Sequence, residues 1–341
     1  SAITTLLALP ENAVAKLAAA LWEKPKVPVI YLEFQDCAGC TEAFLRSPYP
    51  TIAEIVLSDV SLNYHETIMA AAGEQAEEAK KQTMENGAYL LMVEGAIPLG
   101  TKAACCINGH AAVDLLKEAA SKASAIVSVG NCACFGNIPA ASPNPTGAVG
   151  VWDVVSGIPI VNMAGCPVNA VNLSAIVAHF LAYHDIPELD ALGRPLFAYG
   201  GRIHDYCERR AHFDAGRYVE AWGDEGHRLG WCLYKMGCKG PATFHNCPTA
   251  RYNLGTNWPV GAGHGCVGCA QPRFWDRMTP FYERLPEVGV VNTKFDLNAI
   301  AKWMAVASAA GVTAHAVGSG IRGKIRSQAE KKEQQGETRE K

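Results

Sequence analysis

The chain has 341 residues, a formal charge of −3 and 49% apolar residues. This is long enough for two domains and at least one sizeable core, while 30 basic against 33 acidic residues give no electrostatic footing for nucleic acid. Thirteen cysteines, mostly in short clusters, suit metal binding better than a secreted disulfide framework, which is typical of much smaller chains.

Residues 1–26 read as an Ala/Leu-rich helical extension containing Glu11 and Glu23, with no basic-then-apolar leader pattern. From 27 to about 195, short apolar runs alternate with helical patterns. VPVIYLEF (27–34), AYLLMVEG (88–95), SAIVSVG (124–130) and IPIVNMAG (158–165) are expected as buried strands, with helical stretches at 64–84, 109–123 and 168–184. The alternation predicts an α/β domain built on a parallel sheet with crossover helices. In such a sheet ligands collect at the carboxyl ends of the strands.

The cysteines fall at those ends. Cys37 and Cys40 follow the first strand, Cys132 the third and Cys166 the fourth, while Glu94 closes the second. Cys37-x-x-Cys40 alone is balanced between a dithiol redox pair and a metal site; Cys132 and Cys166 turn it toward metal. Four thiolates suit zinc or a 4Fe–4S cluster. Glu94 is expected in a polar contact near that edge, with structural hydrogen bonding as its main role.

From 196 to 290 the sequence is rich in Gly, Pro and Cys with little periodicity, as in a segment whose cohesion bound metal supplies. His204, Cys207, Cys232 and Cys238 form a Cys3His set for zinc or an iron–sulfur cluster. Cys247, Cys266 and Cys269 are three thiols. That count suits a 3Fe–4S cluster, or zinc if His245 or His264 supplies a fourth ligand. Three such sites in one chain suggest a path for single electrons, since zinc has no redox chemistry. A structural zinc scaffold and a CxxC thiol–disulfide oxidoreductase are the competing readings. Beyond 290, Trp303–Ile321 carries no formal charge but is Ala/Gly/Ser/Thr-rich with His315 inside, which favours a packing segment over a membrane span. The last 18 residues carry ten charges and read as a solvated tail.

Over about residues 27–300 the chain resembles the small, electron-transfer subunit of nickel–iron hydrogenases. The resemblance is carried by DCAGCTEAFL, VEGAIP, GNCACFG, AGCPVN, RIHDYC, GCKGP, NCP, NWPVGAGHGCVGC and FWD. It implies a flavodoxin-like domain over 27–195, an irregular iron–sulfur cluster-binding domain over 196–290, and a C-terminal helical segment and charged tail over 291–341. It further implies a proximal 4Fe–4S cluster on Cys37, Cys40, Cys132 and Cys166, and a medial 3Fe–4S cluster on Cys247, Cys266 and Cys269. Pro259 stands at the corner of the medial set where a fourth cysteine would be. A distal 4Fe–4S cluster falls to His204, Cys207, Cys232 and Cys238. The nickel–iron centre belongs to a large subunit, the obligate partner, in one heterodimer or a higher assembly, and no motif specifies the electron acceptor. The resemblance points to a cytoplasmic, soluble type related to oxygen-tolerant uptake hydrogenases, with peripheral membrane contact as the alternative.

Departures from the family pattern are local. Gly39 and Asn137 stand where oxygen-tolerant membrane-bound relatives carry two extra cysteines. Cys105, Cys106 and Cys134 are additional and are read as small buried hydrophobes. Asp36 replaces a common glutamate and is the alternative ligand in place of Cys37, a harder donor that would alter the cluster's potential.

Overall fold

Each apolar run between residues 27 and 163 buries alternate side chains on opposite faces of one sheet, which is why these runs carry little polar residue on either side. Five strands form it: β1 (Val27–Glu33), β2 (Val60–His65), β3 (Tyr89–Glu94), β4 (Ala123–Val129) and β5 (Ile160–Met163). This computed structural model describes residues 26–284 and, beyond them, 306–308, 313, 315, 318 and 319. The expected N-terminal extension, apart from Lys26, and nearly all of the C-terminal segment and tail lie outside the described residues. Ser1–Arg284 makes one compact unit and Leu285–Lys341 a second.

The strands are ordered β2–β1–β3–β4–β5 and every pairing is parallel. This is the flavodoxin-like order. On one face Val29, Tyr31, Leu90, Met92, Val127 and Val161 pack against helix α5 (Ala170–Tyr183) through Leu173, Ile176, Val177 and Phe180. On the other, Ile30, Leu32, Leu91, Val93 and Ile126 meet Ala76 of α2 (Glu74–Asn86) and Val113, Leu116 and Ala119 of α3 (Ala112–Ala120). Two shorter helices, α1 (Gly39–Phe44) and α4 (Gly130–Phe135), follow β1 and β4 at the carboxyl edge.

One expected element changes. The helix read over 64–84 is α2 at 74–86; its expected first residues, 64 and 65, end the edge strand β2, and a turn over 66–73 joins the two. Val60, Leu62 and Tyr64 alternate with Ser61, Asn63 and His65, a strand period. Paired on one side only, this edge tolerates the polar residues that obscured it.

Register does the rest. Glu33 pairs with Glu94, Glu94 with Val129, and Val129 with Met163. The last residues of β1, β3, β4 and β5 therefore stand in a row, and the cysteine loops leave the sheet side by side. After residue 195 the chain turns to short helices and tight turns around a small core of Ile203, Val219, Leu233, Trp258 and Val260, in which Cys247 and Cys266 are themselves buried.

Candidate iron–sulfur sites

The first site is assembled around α1. Ala38 takes a left-handed conformation (φ 53°) to start the helix, and its amide donates to Asp36 Oδ1 at 3.0 Å. No side chain of the helix caps its N-terminus; a buried carboxylate from the neighbouring strand does so instead. Glu94 Oε1 accepts from the Cys40 amide (2.9 Å), and Oε2 from the Thr41 amide (3.0 Å), Thr41 Oγ1 (2.8 Å) and the Tyr31 hydroxyl (2.8 Å). An anion at a helix N-terminus meets its unpaired amides and the favourable end of the dipole. Glu94 thus has the structural hydrogen-bonding role expected of it.

Gly130 is required where β4 becomes α4. Its φ is 79°, and a Cβ there would stand 2.3 Å from Cys40 Sγ. Beyond α4, buried Asn137 donates from Nδ2 to both Cys132 Sγ (3.1 Å) and Cys166 Sγ (3.4 Å), while the Val168 amide donates to Cys40 Sγ (3.4 Å). Cys132 lies within electrostatic reach of Cys37, Cys166 and Asp36. The structure thus brings the four thiols to one edge. Cys37 and Cys166 are exposed there, whereas Cys40 is buried. Burial pushes the Asp36 carboxyl up to about 6, and its Oδ2 is buried with no protein partner.

Cys247, Cys266, Cys269 and Pro259 line one cavity of about 410 Å³ that also reaches Cys166 and Pro167. Gly268, in the left-handed region (φ 83°), turns its amide onto Cys266 Sγ at 3.3 Å. Cys166 lies within electrostatic reach of the Cys269 thiol. His264 does not join this set: its Nδ1 faces Gly265 O (2.8 Å) and its Nε2 the Tyr282 hydroxyl (3.5 Å).

His204, on the short helix Ile203–Tyr206, shares a small cavity of about 20 Å³ with Cys207, Cys232 and Cys238. The Arg209 amide donates to Cys207 Sγ (3.4 Å) and the Cys266 amide to Cys238 Sγ (3.3 Å). Burial, with Arg210 second, lowers the His204 imidazole, which keeps it in the neutral form a metal ligand needs.

Burial raises thiols in each of the three sets. It drives Cys40 and Cys266 far up, Cys132 to about 12, and Cys207 and Cys269 to about 11. A reactive thiol has the opposite shift, so the buried Cys40 is poorly made for disulfide exchange. Among the described residues no three His, Cys, Asp or Glu side chains converge tightly enough to hold a single metal ion. The donor chemistry fits polynuclear iron–sulfur clusters: thiols from separate segments, each set supplied with N–H donors of the kind that tune cluster sulfur.

Comparison with known proteins agrees with this. Residues 37–180 match the family model for the NADH ubiquinone oxidoreductase 20 Kd subunit, and residues 199–282 that for the C-terminal region of the NiFe/NiFeSe hydrogenase small subunit. The chain is 44% identical to the Hydrogenase-1 small chain of Escherichia coli over 324 residues, covering 94% of this chain and 87% of that one. It is 43% identical to the uptake hydrogenase small subunit of Cupriavidus necator, covering 94% and 90%. The chain belongs to the small subunits of nickel–iron hydrogenases. Among solved structures, the Ni-Fe-Se hydrogenase from Desulfomicrobium baculatum superposes with a TM-score of 0.71 at 33% identity, over 76% of this chain and all of that one. This hydrogenase small subunit is thus the iron–sulfur, electron-transfer part of a heteromeric enzyme whose nickel–iron centre lies on the partner subunit.

Three residues of this hydrogenase small subunit hold more of the site geometry than their sequence reading suggested. Asn137, noted there only as a missing cysteine, is a two-sulfur donor. Gly130 admits Cys40 Sγ. His245, weighed as a zinc ligand, sits with Nδ1 3.0 Å from Cys247 Sγ. Only the position of each close to a cysteine could have flagged it. Of the additional cysteines, Cys134 is fully buried, with Sγ 3.5 Å from Ser128 O, and Cys105 packs partly buried on the α3 face. Cys106 departs from the buried reading: it is exposed, its Sγ facing Lys102 O at 3.7 Å.

Proposed function

We propose that the chain holds three clusters in series: a proximal 4Fe–4S on Cys37, Cys40, Cys132 and Cys166, a medial 3Fe–4S on Cys247, Cys266 and Cys269, and a distal 4Fe–4S on His204, Cys207, Cys232 and Cys238. Bound clusters of these types supply one-electron carriage at tunable potentials. The observation that carries the serial reading is contiguity. Cys166 and Cys269 line one cavity, and the Cys266 amide donates to Cys238 Sγ at 3.3 Å, so a ligand of each set abuts a ligand of the next. A scaffold of independent zinc sites would have no need of such links.

The chain's own residues do the rest. Glu94 fixes α1, Asn137 and the loop amides stabilise thiolate charge, and the apolar cluster on one face of the sheet keeps water from Cys40. Cys37, within electrostatic reach of Cys132 and Cys166, is the proposed proximal ligand; Asp36, with Oδ1 on the Ala38 amide and Oδ2 unpartnered, is the alternative. The large subunit lies over the carboxyl edge, where Cys37 and Cys166 are exposed and the loops after β3 and β4 present Leu99 and Ile138 to solvent. Uncovered apolar side chains beside a metal site are what an obligate interface would bury. Among the described residues no helix is long and apolar enough to cross a membrane.

The test is anaerobic copurification with the large subunit, then metal analysis and EPR during a redox titration. About 11 irons per chain and two 4Fe–4S signals beside one 3Fe–4S signal are expected. A zinc-dominated metal content would overturn the series. Asp36→Asn should keep the proximal signal and Cys37→Ser should change it; the reverse result assigns the ligand to Asp36.

A further inference from the structure

We infer that His245 is a positioning residue that raises the reduction potential of the medial site by donating its Nδ1–H to the Cys247 sulfur. The inference rests on Cys247 being a medial ligand, as proposed above.

The ring is held where it is from several sides. The His245 amide donates to Gly201 O at 3.1 Å. The next residue, Asn246, exchanges two side-chain hydrogen bonds with Asn172 of α5 (2.8 and 3.0 Å). The imidazole is 1% exposed and meets the Tyr199 ring nearly at right angles, with centroids 4.9 Å apart. Tyr199 is in turn fixed through its hydroxyl to Ala164 O (2.6 Å). A side chain locked in this way holds its donor at one point without further ordering.

The proton's place follows from the two ring nitrogens. Nδ1 is 3.0 Å from Cys247 Sγ, whereas Nε2 is buried with no protein partner. An iron-bound thiolate has no proton to give. If the imidazole proton sat on Nε2, a lone pair would face the sulfur at 3.0 Å and a buried N–H would be orphaned, the costlier of the two defects. With the proton on Nδ1 the sulfur gains a donor and only an acceptor is left unpaired.

Reduction adds negative charge to the cluster and its sulfurs, so a donor held on one sulfur favours the reduced form. His245 thereby makes the medial site easier to reduce than its thiols alone would. His245→Phe keeps a ring but removes the donor; His245→Gln keeps an N–H of similar reach. The experiment uses the holo-complex with its large subunit and follows the 3Fe–4S EPR signal through an equilibrium redox titration. In His245→Phe the oxidised-to-reduced ratio at fixed potential should rise about tenfold, about 59 mV toward negative for a one-electron couple, with His245→Gln lying between the two. Pulsed EPR of the unaltered complex grown on isotopically labelled histidine should show a histidine nitrogen coupled to the 3Fe–4S signal. That second arm stands even if His245→Phe fails to load iron. An unmoved midpoint in His245→Phe, or no such histidine coupling, overturns the inference. Absence of any 3Fe–4S signal in the unaltered complex instead overturns the medial assignment beneath it.

Discussion

Between β1 and α5 every candidate ligand stands just past a strand end, and its position is set by the pairing of Glu33, Glu94, Val129 and Met163 across the sheet. Between Ile203 and Cys269 no ladder does this work. There the ligands sit on turns and helices of four residues, and the apolar core includes cysteines that are themselves candidate ligands. The first region can form its edge before metal arrives. The second is expected to draw part of its cohesion from what its thiols bind, as small metal-rich domains do.

That contrast can be broken most directly by removing iron. Hydrogen exchange on the chelated chain should leave the amides of β1, β3 and β4 within about tenfold of their protection. Amides of 203–207, 232–238 and 247–269 should lose about a hundredfold or more. Equal loss in both regions would refute the distinction.

Within the sheet region the largest single effect is expected at Glu94. Glu94→Ala strands the Cys40 and Thr41 amides and the Tyr31 hydroxyl in a buried site, a cost of about 3 kcal/mol or more. The proximal signal should disappear while the medial and distal signals stay; loss of all three would mean that the regions fold as one. Gly130→Ala follows, at about 1–3 kcal/mol, because the new methyl needs both a left-handed backbone and space that Cys40 Sγ occupies. Denaturant midpoints measure both. Asn137→Leu should leave stability nearly as it was but remove the donor shared by Cys132 and Cys166, lowering the proximal midpoint by about 50 mV.

The smallest effect concerns pH. Burial raises Glu66 to about 8 and lowers His65 to about 4. A carboxyl that ionises near its ordinary value of 4.5 when unfolded, but near 8 when folded, leaves the folded state with the extra proton between those values. Its contribution to stability therefore falls as pH rises through that window. His65 acts in the opposite sense, since the unfolded ring binds the extra proton between about 4 and 6.5. Above pH 6.5 only the Glu66 slope is left of the two. Stability should decline toward pH 8 in the unaltered chain and flatten in Glu66→Gln; an unchanged slope in that variant would place the titrating group elsewhere.

Much of this was legible before any coordinates. Period and composition identified β1, β3, β4 and β5, and the cysteines at their ends identified an edge, because a buried parallel strand needs a continuous apolar run and its loop must emerge at a fixed side. β2 was misread because an edge strand can carry Ser61 and Asn63 without burying them. The donors were not legible at all. Nothing local marks Asn137 as reaching two sulfurs, Glu94 as capping a helix 54 residues away from it in the chain, or His245 as aimed at Cys247 rather than at a metal.

Sequence alone therefore identified the candidate iron ligands and roughly where each leaves its strand or turn. Only the tertiary structure decided which amides and side chains face those thiols, and that one set abuts the next. Ligand identity is a property of the residue and its spacing. The charge environment of a sulfur is set by groups far away in sequence, and only the register of the sheet and the packing of the turns bring those groups within a hydrogen bond.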